Sequence, residues 1–65
     1  MIANKEKKIE KILELLREGT FPKAYIAQRT KINYYDIKML LDEMIAQNKI
    51  EVDDAGKYFL IGGIN

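Results

Sequence analysis

Between Ala3 and Glu18 the apolar residues Ile9, Ile12, Leu13 and Leu16 recur at a period of roughly 3.6, with Lys7, Glu10, Lys11, Glu14 and Glu18 on the opposite side. This spacing predicts an amphipathic helix over 3–18, ended by Gly19. Leu15 falls off the stripe and is the apolar residue here placed to touch a second copy of the chain. Thr20 and Phe21 precede Pro22, and the residue before a proline is driven out of the helical region, so an extended step is expected. Thr20 would contribute to a very short strand there, and Phe21 would plug one end of the core. Pro22 suits the first position of a second helix, 22–29, which buries Ile26 and Ala27. Tyr25 is either a core edge or an exposed ring. A polar turn, Thr30-Lys31-Ile32-Asn33, carries one apolar residue and leads to a third helix, 34–47. Asn33 is a strong N-cap, and Asp36 meets the positive end of the helix dipole. Ile37, Leu40, Leu41, Met44 and Ile45 form its buried side, leaving Tyr34, Tyr35 and Lys38 open at its start, with Met39 and Asp42 further along. Two alternating runs, Lys49 to Val52 and Lys57 to Ile61, flank Asp53-Asp54-Ala55-Gly56 and predict a hairpin over 49–61. Ile50, Val52, Tyr58 and Leu60 would face inward and Phe59 and Ile61 away, with Gly62, Gly63 and Asn65 as a loose end.

At 65 residues the chain is expected to be one domain, 1–65, near the smallest size an apolar core can hold. The absence of cysteine removes disulfides and thiolate metal sites, and the absence of histidine leaves zinc almost without ligands, so no metal and no cofactor is expected. The charged start MIANKEKKIEK, with no long apolar run behind it, argues against a signal peptide or membrane span, giving a cytoplasmic expectation. An enzyme is not expected: the remaining acid–base candidates, Asp53 and Asp54, sit on a turn that favours such residues for backbone reasons. A small-molecule substrate is not expected either.

The net charge of +1 argues weakly for a polyanionic partner until the charges are placed along the chain. Residues 20–41 hold Lys23, Arg29, Lys31 and Lys38 against Asp36, whereas residues 42–65 hold Lys49 and Lys57 against Asp42, Glu43, Glu51, Asp53 and Asp54. The segment with two helices and a turn is locally basic, and the hairpin half is acidic.

The order helix, extended step, helix, turn, helix, hairpin resembles the winged helix-turn-helix superfamily over nearly the whole chain. The segment PKAYIAQRTKINYYDIKMLLDEMIAQNKIEV carries the resemblance best, through its Pro, aliphatic-Ala pair, Thr-x-Ile turn, helix cap, Leu-Leu pair and short Lys-Ile strand. The resemblance implies an α+β, mainly α fold: a three-helix winged helix-turn-helix with a C-terminal two-stranded β-hairpin wing. It implies sequence-specific binding of double-stranded DNA by a small transcriptional regulator that inserts the helix from Tyr34 into the major groove. Asn33, Tyr34, Tyr35 and Lys38 would take groove-facing positions. Two departures stand out: the turn position often held by glycine is Lys31, and the wing tip is acidic where a phosphate-gripping member carries Arg or Lys.

Lys23, Arg29, Lys31 and Lys38 are suited to phosphates, with Gln28 beside them at the end of the second helix. Lys38 suits guanine, and Tyr34 or Tyr35 a thymine methyl. Asn33 is either a helix cap or a reader of adenine, and one of the two tyrosines is either exposed or packed under the hairpin. Four phosphate contacts give a salt slope of only about −3 to −4 per protomer, so one copy is not expected to suffice: the chain either forms a homodimer on two-fold DNA, the favoured expectation, through Leu15, Phe59 or Ile61, or works as a recruiting module beside another DNA-binding protein. The alternative is a protein-interaction module that recruits a protein partner through the acidic wing and the exposed hairpin face.

Overall fold

A computed structural model of the chain describes residues 2–61; Gly62, Gly63 and Asn65 lie outside the described residues. Three helices, α1 (Lys5–Leu16), α2 (Lys23–Thr30) and α3 (Tyr34–Ala46), combine with three strands, β1 (Phe21–Pro22), β2 (Ile50–Val52) and β3 (Lys57–Leu60). The fold is α+β and mainly helical, and its sheet has three strands in the order β1-β3-β2, all antiparallel: the expected two-stranded hairpin is joined by a short strand that precedes α2. The third strand is the extended step before α2. Phe21 pairs with Tyr58 and Pro22 with Lys57, so the strand is formed by Phe21 and Pro22 and not by Thr20. Proline is tolerated because β1 is an edge strand.

Several boundaries differ from the sequence expectations for local reasons. Asn4 sits in the left-handed region at φ 54°, so α1 starts at Lys5. Its last turn closes at Arg17, whose amide donates to the Leu13 and Glu14 carbonyls, ahead of Gly19. Gly19 has a different use: a Cβ there would lie 3.3 Å from Phe21 Cζ, so the glycine lets the chain pass close to that ring. Pro22 is the extended residue before α2 (φ −75°, ψ 162°), and the helix begins one residue later. At its far end α2 includes Thr30, whose buried hydroxyl donates to the Ile26 carbonyl at 2.7 Å. α3 ends in a paired hydrogen-bond pattern, with the Asn48 amide donating to Ile45 and the Lys49 amide to Met44, while Asn48 takes the left-handed conformation at φ 62°. This Schellman closure satisfies carbonyls at the helix end and turns the chain into β2.

The core gathers Ile12, Leu15 and Leu16 of α1, Ile26 of α2, Ile32 of the turn, Ile37, Leu40, Leu41 and Met44 of α3, and Ile50 and Tyr58 of the sheet. The buried face of α3 is the one its spacing predicts. That of α1 is wider than its spacing predicts: Ile12 and Leu16 are in the core, Ile9 and Leu13 pack against it half-buried, and Leu15 joins them on the near side. Leu15, expected on the outside for contact with a second copy, is only 7% exposed. The reason is tertiary: the end of α2 packs beside α1, and Leu15 shares a groove with Arg29, Thr30 and Lys31. In the sheet, Val52 lies on the same face as Ile50, as expected, but is 43% exposed because it lies at the tip end of β2, whereas Ile50 at the other end is fully buried. Phe59 pairs with Glu51, one register step from the inward pair Ile50 and Leu60, and is half-buried, as is Ile61.

Candidate nucleic-acid interface

Asn33 and Asp36 build the start of α3 as a reciprocal pair. The Asp36 amide donates to Asn33 Oδ1 at 2.9 Å, and Asn33 Nδ2 donates to Asp36 Oδ2 at 3.1 Å. Both polar ends of the Asn33 amide are thereby occupied by the cap, which answers the open alternative: the side chain holds the helix and is not free to read a base in this arrangement. Asp36 Oδ2 also receives Lys8 Nζ from α1 at 3.0 Å, and both side chains are mostly buried in this pair. The carboxylate at the head of α3 is thus neutralised by a cation 28 residues away.

Beyond that capped start, the outer face of α3 is open. Tyr34 is 52% exposed, Tyr35 81% and Met39 58%, and Lys38 is exposed with them. Neither tyrosine packs under the hairpin, so of the two alternatives left open by the sequence both rings take the exposed one. The Lys23 ammonium at the start of α2 lies 6.0 Å from the Tyr34 ring centroid, within reach of a cation–π attraction. Lys23, Tyr34, Tyr35, Lys38 and Met39 therefore form one group on the first turns of α2 and α3.

Arg29 and Lys31 form a second group. They line a groove of about 340 Å³ between α1 and the end of α2, together with Lys11, Glu14, Glu18, Thr30 and the edge of Leu15. The sequence count along residues 20–41 did not include Glu14 and Glu18, which the fold brings beside these two cations. Gln28 is exposed at the end of α2, with no side-chain hydrogen bond among the described residues. Lys31 occupies the left-handed region at φ 61°, ψ 29°, the turn position where the sequence departs from the usual glycine. Arg29 Nη1 donates to the Tyr25 hydroxyl at 2.5 Å, and its guanidinium carbon lies 5.5 Å from that ring's centroid. Tyr25 itself packs against Phe21, ring centroids 4.7 Å apart. It is half-buried, resting on Phe21 and not on the core itself, so it is neither the core edge nor the fully exposed ring of the two alternatives.

Among the described residues there are two ion pairs, Lys5–Glu43 and Lys8–Asp36. Lys23, Arg29, Lys31 and Lys38 enter neither. At the hairpin tip the acids divide. Asp53 Oδ1 accepts from the amides of Ala55 at 3.0 Å and Lys57 at 2.9 Å, so it is committed to the turn, while Asp54 and Glu51 remain exposed. Among the described residues no group of acids is arranged to hold a metal, and no helix is long and apolar enough to cross a membrane.

No protein-family model matches the chain, and no curated protein and no solved structure matches it either.

Sequence reasoning missed the role of Lys8 and left that of Tyr25 open. The partner of Lys8 is remote in sequence, so no local spacing signals the contact. Tyr25 and Arg29 carry a signal, the i, i+4 spacing of an aromatic and an arginine on one helix.

Proposed function

We propose that this chain is a winged helix-turn-helix domain that binds double-stranded DNA in a sequence-specific way and acts as a small, non-catalytic transcriptional regulator in the cytoplasm. The start of α3 enters the major groove, and β2, β3 and their tip are the wing. One observation carries the reading: the exposed face on the first turns of α3 joins Tyr34, Tyr35, Lys38 and Met39, while the acid at that helix head is neutralised from behind by Lys8. Removing that negative charge lets the helix N-terminus and the nearby unpaired lysines attract phosphate. Lys38 is suited to a guanine edge, the Tyr35 and Met39 surfaces to a thymine methyl, and Lys23 to the backbone.

With Leu15 in the core, Phe59 and Ile61 are left as the apolar contacts for a homodimer on a two-fold site. Three phosphates neutralised per protomer, by Lys23, Arg29 and Lys31, correspond to a log–log salt slope of about −2.7. Fluorescence anisotropy with random duplex DNA, measured from low to moderate salt, tests the reading. Binding that weakens along such a slope and falls at least about tenfold in Lys38→Glu supports it. The second reading, a protein-interaction module, is favoured by the exposed apolar pair Tyr35 and Met39 and the outward acids Glu51 and Asp54. It prevails if duplex DNA does not bind at low salt and Lys38→Glu is silent.

A further inference from the structure

Along one side of α2, with Phe21 just before it, Phe21, Tyr25 and Arg29 stand at intervals of four residues. The two rings pack with centroids 4.7 Å apart, and the guanidinium is tethered to the outer end of the ladder through the Tyr25 hydroxyl. The inner end is fixed, because Phe21 is in β1, paired with Tyr58, and packs against the core. The tether is unusual in kind. The acceptor holding Arg29 is a neutral phenol oxygen, and neither Glu14 nor Glu18, which share its groove, forms an ion pair with it. A carboxylate acceptor would cancel the positive charge, whereas a phenol restricts the side chain and leaves the charge intact. An arginine side chain is rich in rotamers, and part of that freedom must be lost whenever the free side chain binds an external group.

Resting on the DNA-binding reading, we propose that Tyr25 is a positioning residue that holds Arg29 as a prepared contact for a backbone phosphate. Arg29 supplies the charge, and Tyr25 supplies the order. Arg29 is exposed and only Nη1 is engaged, so the remaining guanidinium N–H groups can pair with two oxygens of one phosphate in the forked geometry an ammonium lacks. Phe21 holds the phenol ring from below, so the rigidity of the sheet edge reaches the guanidinium through two aromatic contacts.

The experiment compares Tyr25→Leu, Tyr25→Phe and Arg29→Ala with the unaltered chain, singly and combined, using duplex DNA over a range of salt. Circular dichroism and thermal melting establish that each variant is folded. Arg29→Ala is expected to make the salt slope shallower by about 0.9. Tyr25→Leu is expected to weaken binding about three- to tenfold at one salt concentration while leaving the slope unchanged, because the charge is still present but no longer ordered. In the Arg29→Ala background, Tyr25→Leu should have no further effect. Tyr25→Phe, which keeps the ring and loses the acceptor, should fall between the two.

A loss of equal size from Tyr25→Leu in both backgrounds overturns the proposal, since Tyr25 would then act independently of Arg29. A separate measurement needs no DNA: NMR of the arginine Nε–H groups should show one guanidinium with slowed rotation, released in Tyr25→Leu. An already freely rotating Arg29 overturns the positioning role even if DNA binds. A restrained Arg29 in a chain that binds no DNA overturns the phosphate role and, with it, the DNA-binding reading.

Discussion

The turn between α2 and α3 and the tip of the hairpin solve the same backbone problem with opposite charge. Each uses an Asn or Asp side chain to accept backbone amides, and each places one residue in the left-handed region. At the tip that residue is Gly56, at φ 79°, and the capturing group is the carboxylate of Asp53. In the helical turn the left-handed residue is Lys31, and the capturing group is the neutral amide of Asn33. A side chain in this conformation costs on the order of 1 kcal/mol, which glycine avoids. The tip is therefore chosen for easy closure, whereas the turn accepts backbone strain and retains a cation. Under the DNA-binding reading the strain is offset by charge held beside the polyanion, and the acidic tip stays away from it.

Exchanging charge across the two regions gives the largest expected effect. Lys38→Glu should weaken duplex DNA binding about 10- to 100-fold, corresponding to about 1–3 kcal/mol, in an anisotropy titration. Asp54→Lys at the tip should change affinity by no more than about twofold, in the favourable direction, as long-range attraction between exposed charges is screened. Equal and opposite effects at the two positions would mean that the tip also touches DNA, and the contrast between the regions would fail.

Removing the capturing side chains comes next. Asn33→Ala should lower unfolding stability by about 1 kcal/mol in urea titration, because it strips the cap of the longest helix. Asp53→Ala should cost a similar amount or less, and hydrogen exchange should localise its effect to the Ala55 and Lys57 amides. Lys8→Met, which leaves Asp36 half-buried and without its cation, should destabilise on the order of 1 kcal/mol, whereas Lys5→Met, from a more exposed pair, should be close to neutral. If Lys8→Met also weakens DNA binding while the protein stays folded, the restored negative charge at the head of α3 is the cause.

The smallest and most discriminating change is Lys31→Gly. Relief of the left-handed strain should raise stability by about 0.5–1 kcal/mol, read as a higher urea midpoint at unchanged m-value. Loss of the cation should at the same time make the salt slope of DNA binding shallower by about 0.9. A more stable variant with unaltered DNA binding would show that Lys31 has no role in phosphate contact.

Much of this architecture was legible because its signals are local. The apolar spacing of Ile37, Leu40, Leu41 and Met44 predicts the buried side of α3 correctly, and Asn33 is the cap its position suggests. The acidic turn with Gly56 likewise marks the hairpin. The errors concern residues whose surroundings come from elsewhere in the chain. Leu15 lies off a stripe drawn from α1 alone, and only the end of α2 packing beside it makes it core. Val52 alternates correctly with Ile50, but the core stops short of the tip end of β2. Periodicity gives the face a side chain occupies and carries no information on how far the opposing layer extends.

The same division holds for the proposed interface. By itself the sequence determined the three helices, the hairpin, the basic middle and the acidic end, because propensity, capping and net charge act over a few residues. Tertiary structure decided that Phe21 and Pro22 form a third strand, that Lys8 neutralises Asp36, that Glu14 and Glu18 stand beside Arg29 and Lys31, and that both tyrosines of α3 are open. Those outcomes depend on contacts between segments far apart in the chain, where electrostatics and burial are set by three-dimensional neighbours.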